Sequence, residues 1–314
     1  MTYLEKLRAA QSQNNSWLCV GLDPQPSRLP LPAVHWDEPV LPFCRAIIEA
    51  TADLACAYKP NLGFFLQWGA AGVIALERTL AFIPDHLPTI LDCKTGDIGS
   101  TQAAWAAGLL DEWGVDAVTV NPYVGAEAVM PMLEGRPDKA VYLLARTSNP
   151  SAPQFQDLEV AAEAQRTQRG VEARLWLEVI RQSQEWVAGS ESKTEQVASG
   201  KWQVADGESK IQNPKSKIGK SKIGALGYVV GATYPEELAL ARQLAPTANF
   251  LIPGVGAQGG DLTAAVRHGP DSIAGPVINA SRAILYASAG LDFAEAARAA
   301  AMALRDEIYG MRIA

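Results

Sequence analysis

The 314-residue chain reads as a single α/β domain, a (β/α)8 TIM barrel spanning 1–314 with one low-complexity insertion. Three observations predict this fold. Short apolar, β-rich runs recur eight times with amphipathic helical stretches between them, as parallel strands covered by helices on one side require. Eight such units close most economically into a barrel, and barrels of about 250 residues form one domain. Polar and charged residues also collect just behind most of the runs, where the strand ends of a barrel build its site.

Along the chain, residues 1–15 carry an amphipathic helix pattern (Tyr3, Leu4, Leu7) and lack the apolar stretch of a signal peptide. Strands are expected at 17–22, 55–59, 89–94, 117–121, 140–145, 228–232, 250–253 and 272–278. Helices are expected at 69–82, 101–113, 160–187, 236–244, 261–268 and 293–309. A doubly wound open sheet is the alternative. It would place a Gly-rich phosphate loop after the first strand, where Gly21-Leu22-Asp23-Pro24 stands instead.

Residues 189–224 break the alternation. They are rich in Ser, Lys, Gly and Gln and repeat Ser-Lys-Ile at 209–211, 216–218 and 221–223. With few apolar residues and no period, the stretch cannot offset its ordering entropy, and it is expected to be a flexible insertion ahead of the sixth strand. Its seven lysines against four acids could form a nucleic-acid arm, but no aromatic or Arg pattern accompanies them, which favours a solvated loop.

Apolar residues make up 48% of the chain, enough for a large core, and the net charge of −7 argues against a nucleic-acid protein. No apolar run reaches the roughly 20 residues that span a bilayer, so a cytoplasmic protein with no membrane partner is expected. Cys19, Cys44, Cys56 and Cys93 are scattered, and Cys19 and Cys56 read as small core residues. No His/Cys/carboxylate cluster has metal-ligand spacing, so a metal ion is not implied. His35, His86 and His268 fall in loops or helix ends and read as surface residues.

The chemistry concentrates behind the third run, in Asp92-Cys93-Lys94-Thr95-Gly96-Asp97. Strand periodicity sends Asp92 and Lys94 to one face, and charges that close stay together only if each offsets its neighbours. On spacing alone a solvated strand end with surface ion pairs would read the same way. The other strand ends carry Asp23, then Lys59-Pro60-Asn61, then Arg146-Thr147-Ser148-Asn149-Pro150. The seventh carries the Gly-rich run 253–261, with Gln258 and Gly259, and the eighth carries Asn279-Ala280-Ser281-Arg282. A Gly-rich turn entering a helix offers bare N–H groups to an anion, and Arg282 can clamp a phosphate. A lysine held among carboxylates keeps its proton, and such an ammonium can stabilise a developing carbanion and then protonate it.

Taken together, Asp92-x-Lys94-x-x-Asp97, Lys59-Pro60-Asn61 and the Pro-Gly-Val-Gly-Ala-Gln-Gly-Gly run at 253–260 resemble the orotidine 5′-phosphate decarboxylase family, in its long-chain bacterial (type 2) form. The resemblance covers nearly the whole chain outside 189–224. It implies decarboxylation of orotidine 5′-phosphate to uridine 5′-phosphate in pyrimidine synthesis without a cofactor, in a homodimer with shared sites. It implies that Lys59, Asp92, Lys94 and Asp97 form the catalytic network. In that network Lys94 protonates C6, Asp92 lies by the departing carboxylate, and Asp97 reaches the partner's site. It also implies that Asp23 and Lys59 hold ribose hydroxyls, with Thr101 from the partner, and that Asn61 binds substrate. Ser148 would contact the pyrimidine, and Gln258, Gly259 and Arg282 the phosphate. Cys93 should point away from the site. Magnesium-dependent sugar-phosphate enzymes of the same superfamily and a non-catalytic phosphate-ligand sensor are the rival readings.

Overall fold

The computed structural model describes residues 1–34, 38–160, 174–198, 223–254 and 260–313. Eight strands form its sheet: β1 (Leu18–Leu22), β2 (Ala57–Pro60), β3 (Ile90–Thr95), β4 (Ala117–Val120), β5 (Ala140–Arg146), β6 (Ala225–Val230), β7 (Phe250–Ile252) and β8 (Val277–Ala280). All neighbours pair in parallel, in the order β2-β1-β8-β7-β6-β5-β4-β3. The two ends of that order meet through isolated parallel bridges, Tyr58 with Thr89 and Asn61 with Asp92, and Tyr58 N donates to Pro88 O at 3.0 Å. The sheet therefore closes into the expected barrel, with its weakest seam between β2 and β3.

Almost every strand position is buried, because one face meets the barrel interior and the other the surrounding helices. The helix Gly69–Phe82 shows how the outer layer attaches: Gly72, Ala75, Leu76 and Thr79 form one buried stripe at helical spacing. The helix Val40–Thr51 was not legible in the sequence. No helix was expected there; Pro42 falls in its first turn, where a proline is tolerated, and Phe43, Cys44, Ile47 and Ile48 are buried.

One end of the barrel is plugged. The helix Tyr3–Gln13 starts at a Thr2/Glu5 capping box and lays Tyr3, Leu7 and Ala10 into the chain. Tyr3 and Leu7 share one buried cluster with interior residues of all eight strands, Cys19, Ala57, Ile90, Ala117 and Tyr142 among them. The Tyr3 and Tyr142 hydroxyls meet at 2.9 Å, and Gln11 exchanges hydrogen bonds with the Gly275 backbone in both directions. This helix covers the N-terminal strand ends and leaves the C-terminal ends as the open mouth.

Several boundaries differ from expectation for identifiable reasons. The eighth strand begins at Val277 rather than 272, since the Asp271 carboxylate accepts the N–H groups of Ile273 and Ala274 and holds a turn there. The helix expected at 160–187 runs instead from Leu175 to Ala198, so the first ten residues of the expected insertion, 189–198, are helical. Of the rest, residues 199–222 lie outside the described residues. The chain returns beside the plugged end: Ile223 bridges to Glu134, and Gly224 packs on the backbone just ahead of β5. Replacing 199–222 by a short Gly/Ser linker is therefore expected to leave kcat/KM within about threefold of the parent, because loop length changes closure entropy slowly. Loss of activity or of soluble expression would show that the segment does more than connect. Among the described residues no helix is long and apolar enough to cross a membrane.

Candidate active site

At the open end β3 departs from a regular pleat. Leu91 pairs with Val118 and Thr95 with Val120, so Asp92, Cys93 and Lys94 stand opposite the single residue Thr119. Lys94 takes a left-handed backbone (φ 47°), a conformation that costs a non-glycine residue roughly 1–3 kcal/mol and occurs mainly at functional sites. The two charges of Asp92 and Lys94 do meet, as the sequence suggested, but through this bulge and not through simple strand alternation.

Asp92 is the hub. Its Oδ2 accepts from Lys59 Nζ at 2.8 Å and from Asn61 Nδ2 at 3.3 Å. Its Oδ1 accepts from Lys94 Nζ at 2.5 Å and from Thr119 Oγ1 at 3.0 Å. The Lys59 and Asn61 contacts cross the β2–β3 seam where the backbone ladder is thinnest, and Thr119 ties the carboxylate to β4. Burial by itself would push the Asp92 carboxyl up, but Lys59 and Lys94 outweigh it and hold the group well below the usual carboxylate range. Burial would likewise lower Lys59, yet Asp92 and then Asp23 hold its ammonium above the usual lysine value. Both charges persist across the neutral range. Lys94 differs from Lys59 in access: its side chain is 49% exposed against 6%.

A cavity of about 160 Å³ opens beside this array, lined by Asp23, Lys59, Asn61, Asp92, Asn279 and Arg282 with the β7 and β8 ends. Among the described residues, the Oδ1 atoms of Asp23 and Asn279 are buried there without a hydrogen-bond partner. Unpaired buried acceptors are rare, and two beside one cavity suit a ligand that brings donors. A Cβ at Gly21 would lie 1.9 Å from Ser281 Oγ and 2.9 Å from Ser281 Cβ, so a side chain there would force Ser281 to shift at the rim.

Other expected residues stand apart. Asp97 and Thr101 lie beyond the cavity lining; the Asp97 carboxylate accepts from the Ile98 N–H at 2.8 Å, and Thr101 is exposed on the helix Gly99–Ala106. Ser148 is half-buried and also outside the lining, its backbone held against Gly231, where a Cβ would come within 3.1–3.3 Å. Arg282 lines the cavity and is exposed. Gln258 and Gly259 lie outside the described residues, as does His35. The described ends of the β7 turn meet, Gly260 N donating to Gly254 O at 3.1 Å, with Gly254 at φ 90°. Asp261 caps the following helix, its Oδ1 accepting from Ala264 N, so part of that terminus is already satisfied by the chain's own carboxylate.

Arg146 serves structure: buried, it donates from Nε to Glu237 at 2.8 Å and from a terminal nitrogen to Asp157 at 3.2 Å. His86 is exposed and His268 ends a helix half-buried. The Cys93 Sγ turns toward the Thr119 carbonyl at 3.5 Å, and burial raises its thiol to about 11, so no reactive thiolate stands at the site. Among the described residues no group of three or more His, Cys, Asp or Glu could hold a metal ion. Sequence reasoning marked Asn279 only as a strand-end residue and missed Thr119. Thr119 sat unmarked inside an apolar strand, and only the register across the bulge singles it out.

Residues 16–300 match the family described as orotidine 5′-phosphate decarboxylase / HUMPS. The chain belongs to that family. It is 44% identical over 313 residues to a Thermomicrobium roseum protein named orotidine 5′-phosphate decarboxylase, covering 99% of this chain and 96% of that one. A Verminephrobacter eiseniae protein of the same name is 40% identical over 318 residues, covering 99% and 100%. A solved Toxoplasma gondii structure is similar at TM-score 0.78 and 36% identity, covering 99% of this chain and 96% of that one. The solved Leishmania donovani OMP decarboxylase is similar at TM-score 0.71 and 30% identity, covering 100% of each chain. The barrel and the resemblance expected from the motifs are both borne out.

Proposed function

We propose that this family member removes CO2 from orotidine 5′-phosphate to give uridine 5′-phosphate, in the cytoplasm, with no metal or organic cofactor. One observation carries the mechanistic part: the accessible Lys94 ammonium, itself outside the cavity lining, is fixed against Asp92, which lines the cavity together with Arg282. Breaking the bond from C6 to the carboxylate releases CO2 and leaves its electron pair in the ring plane, where the π system cannot delocalise it. A fixed ammonium at that point stabilises the pair, and transfer of its proton completes the C6–H bond. Water then returns a proton to Lys94.

The enhancement asked of such an enzyme approaches the top of the known range, roughly 20 kcal/mol, which one lysine does not supply. Binding energy from the remote phosphate is used to orient the base, a task assigned to Arg282 with Gln258 and Gly259. Asp23, Lys59 and Asn61 take the ribose side, where the unpaired Asp23 oxygen suits a hydroxyl donor. Ser148 contacts the pyrimidine. Asp92, clamped between two ammonium groups, acts mainly by placing Lys94; repulsion of the substrate carboxylate is the weaker idea.

The site is shared in a homodimer, with Asp97 and Thr101 serving the partner's cavity. The exposed apolar side chains Ile98, Trp105, Tyr123 and Val124 around them support this. The purified protein should convert orotidine 5′-phosphate to uridine 5′-phosphate mole for mole. Tight nucleotide binding without turnover would replace this reading with that of a ligand sensor.

A further inference from the structure

We infer that Thr119 is a positioning residue whose hydroxyl sets where the Lys94 ammonium stands. Three residues of β3 face Thr119 alone, so the strand ladder has no carbonyl to offer the Lys94 N–H. Thr119 Oγ1 accepts that N–H at 3.0 Å and donates its own proton to Asp92 Oδ1 at 3.0 Å. The same Asp92 oxygen accepts from Lys94 Nζ. The hydrogen bonds thus form a ring that leaves the Lys94 backbone, passes through Thr119 and Asp92, and returns at the tip of the Lys94 side chain. One hydroxyl fixes both ends of a long, flexible lysine.

The surroundings leave no substitute. Thr119 is 1% exposed, so water does not reach the hydroxyl's place. Its branched Cβ restricts χ1, which suits a group that must donate and accept in fixed directions. Lys94 at φ 47° is a strained backbone position, and such positions persist only where the surroundings over-determine them. Thr119 supplies that constraint from the neighbouring strand.

The inference rests on Lys94 being the proton donor, so its test carries Lys94→Ala alongside. Thr119→Val keeps the shape and removes both hydrogen bonds; Thr119→Ser keeps both. Thr119→Val should lower kcat by about 10- to 100-fold, as expected for losing bonds to charged or strained groups, with KM within about threefold. Thr119→Ser should recover kcat to within about fivefold of the parent, although both variants lose some thermal stability. If valine does not give folded protein, Thr119→Ala replaces it in the same comparison. A kcat for the hydroxyl-free variant within about threefold of the parent overturns the inference, as does a serine variant as slow as the hydroxyl-free one. Should Lys94→Ala keep parental activity, the proton-donor reading falls and this inference with it. A slow Lys94→Ala beside an unaffected Thr119→Val would sink the Thr119 role alone.

Discussion

Replacing Lys94 by alanine is expected to lower kcat by several orders of magnitude while the protein stays folded. Loss of a single preorganised donor typically removes about 10²–10³ in rate, and here the same group also delivers the proton. The fold should survive because the Lys94 side chain is half exposed and leaves no core cavity. Asp92 also keeps Lys59, Asn61 and Thr119 after the change, so no buried charge is stranded. Steady-state kinetics together with a thermal melt separate the two effects. A loss below about tenfold would remove Lys94 from the chemistry.

The second large effect concerns the shared site. Lys59→Ala and Asp97→Ala homodimers should each be nearly inactive, since every site then lacks one charged group. In a mixed dimer one site collects both defects and the other neither. At full random mixing half the dimers are mixed and half of their sites are intact, so about a quarter of parental activity should return. Lys59 is buried against Asp92, so its variant should be checked for folding before mixing. No recovery under proven subunit exchange would mean that Asp97 acts within its own chain. The exposed apolar side chains Ile98, Trp105, Tyr123 and Val124 near Asp97, a surface suited to a second copy of the chain, are the reason for expecting recovery.

The parts of this account legible in the sequence are those fixed by local periodicity. Near-continuous apolar runs gave the strands, and Gly69–Phe82 matched its helix residue for residue because one stripe of small and apolar side chains faces the sheet. Asp92, Lys59 and Lys94 were legible because charges so near a strand end need partners, and the structure supplies them. Longer-range features were not. The bulge opposite Thr119 depends on the register between two strands, which no single strand encodes. The start of β8 was set by one Asp271 side chain competing with the ladder, and the helix end at Ala198 overran a compositional boundary. Arg146 shows the opposite error: a charged strand end that looked functional is occupied by Glu237 and Asp157.

The proposed decarboxylation of orotidine 5′-phosphate by the Lys59–Asp92–Lys94 array requires no metal ion. The direct measurement follows loss of substrate absorbance with purified protein after exhaustive chelation and in the continued presence of the chelator. Turnover equal to that of the untreated protein, with uridine 5′-phosphate as product, is the predicted result. Activity that vanishes with the chelator and returns with magnesium would contradict the claim and place the chain with the metal-dependent sugar-phosphate enzymes of the superfamily.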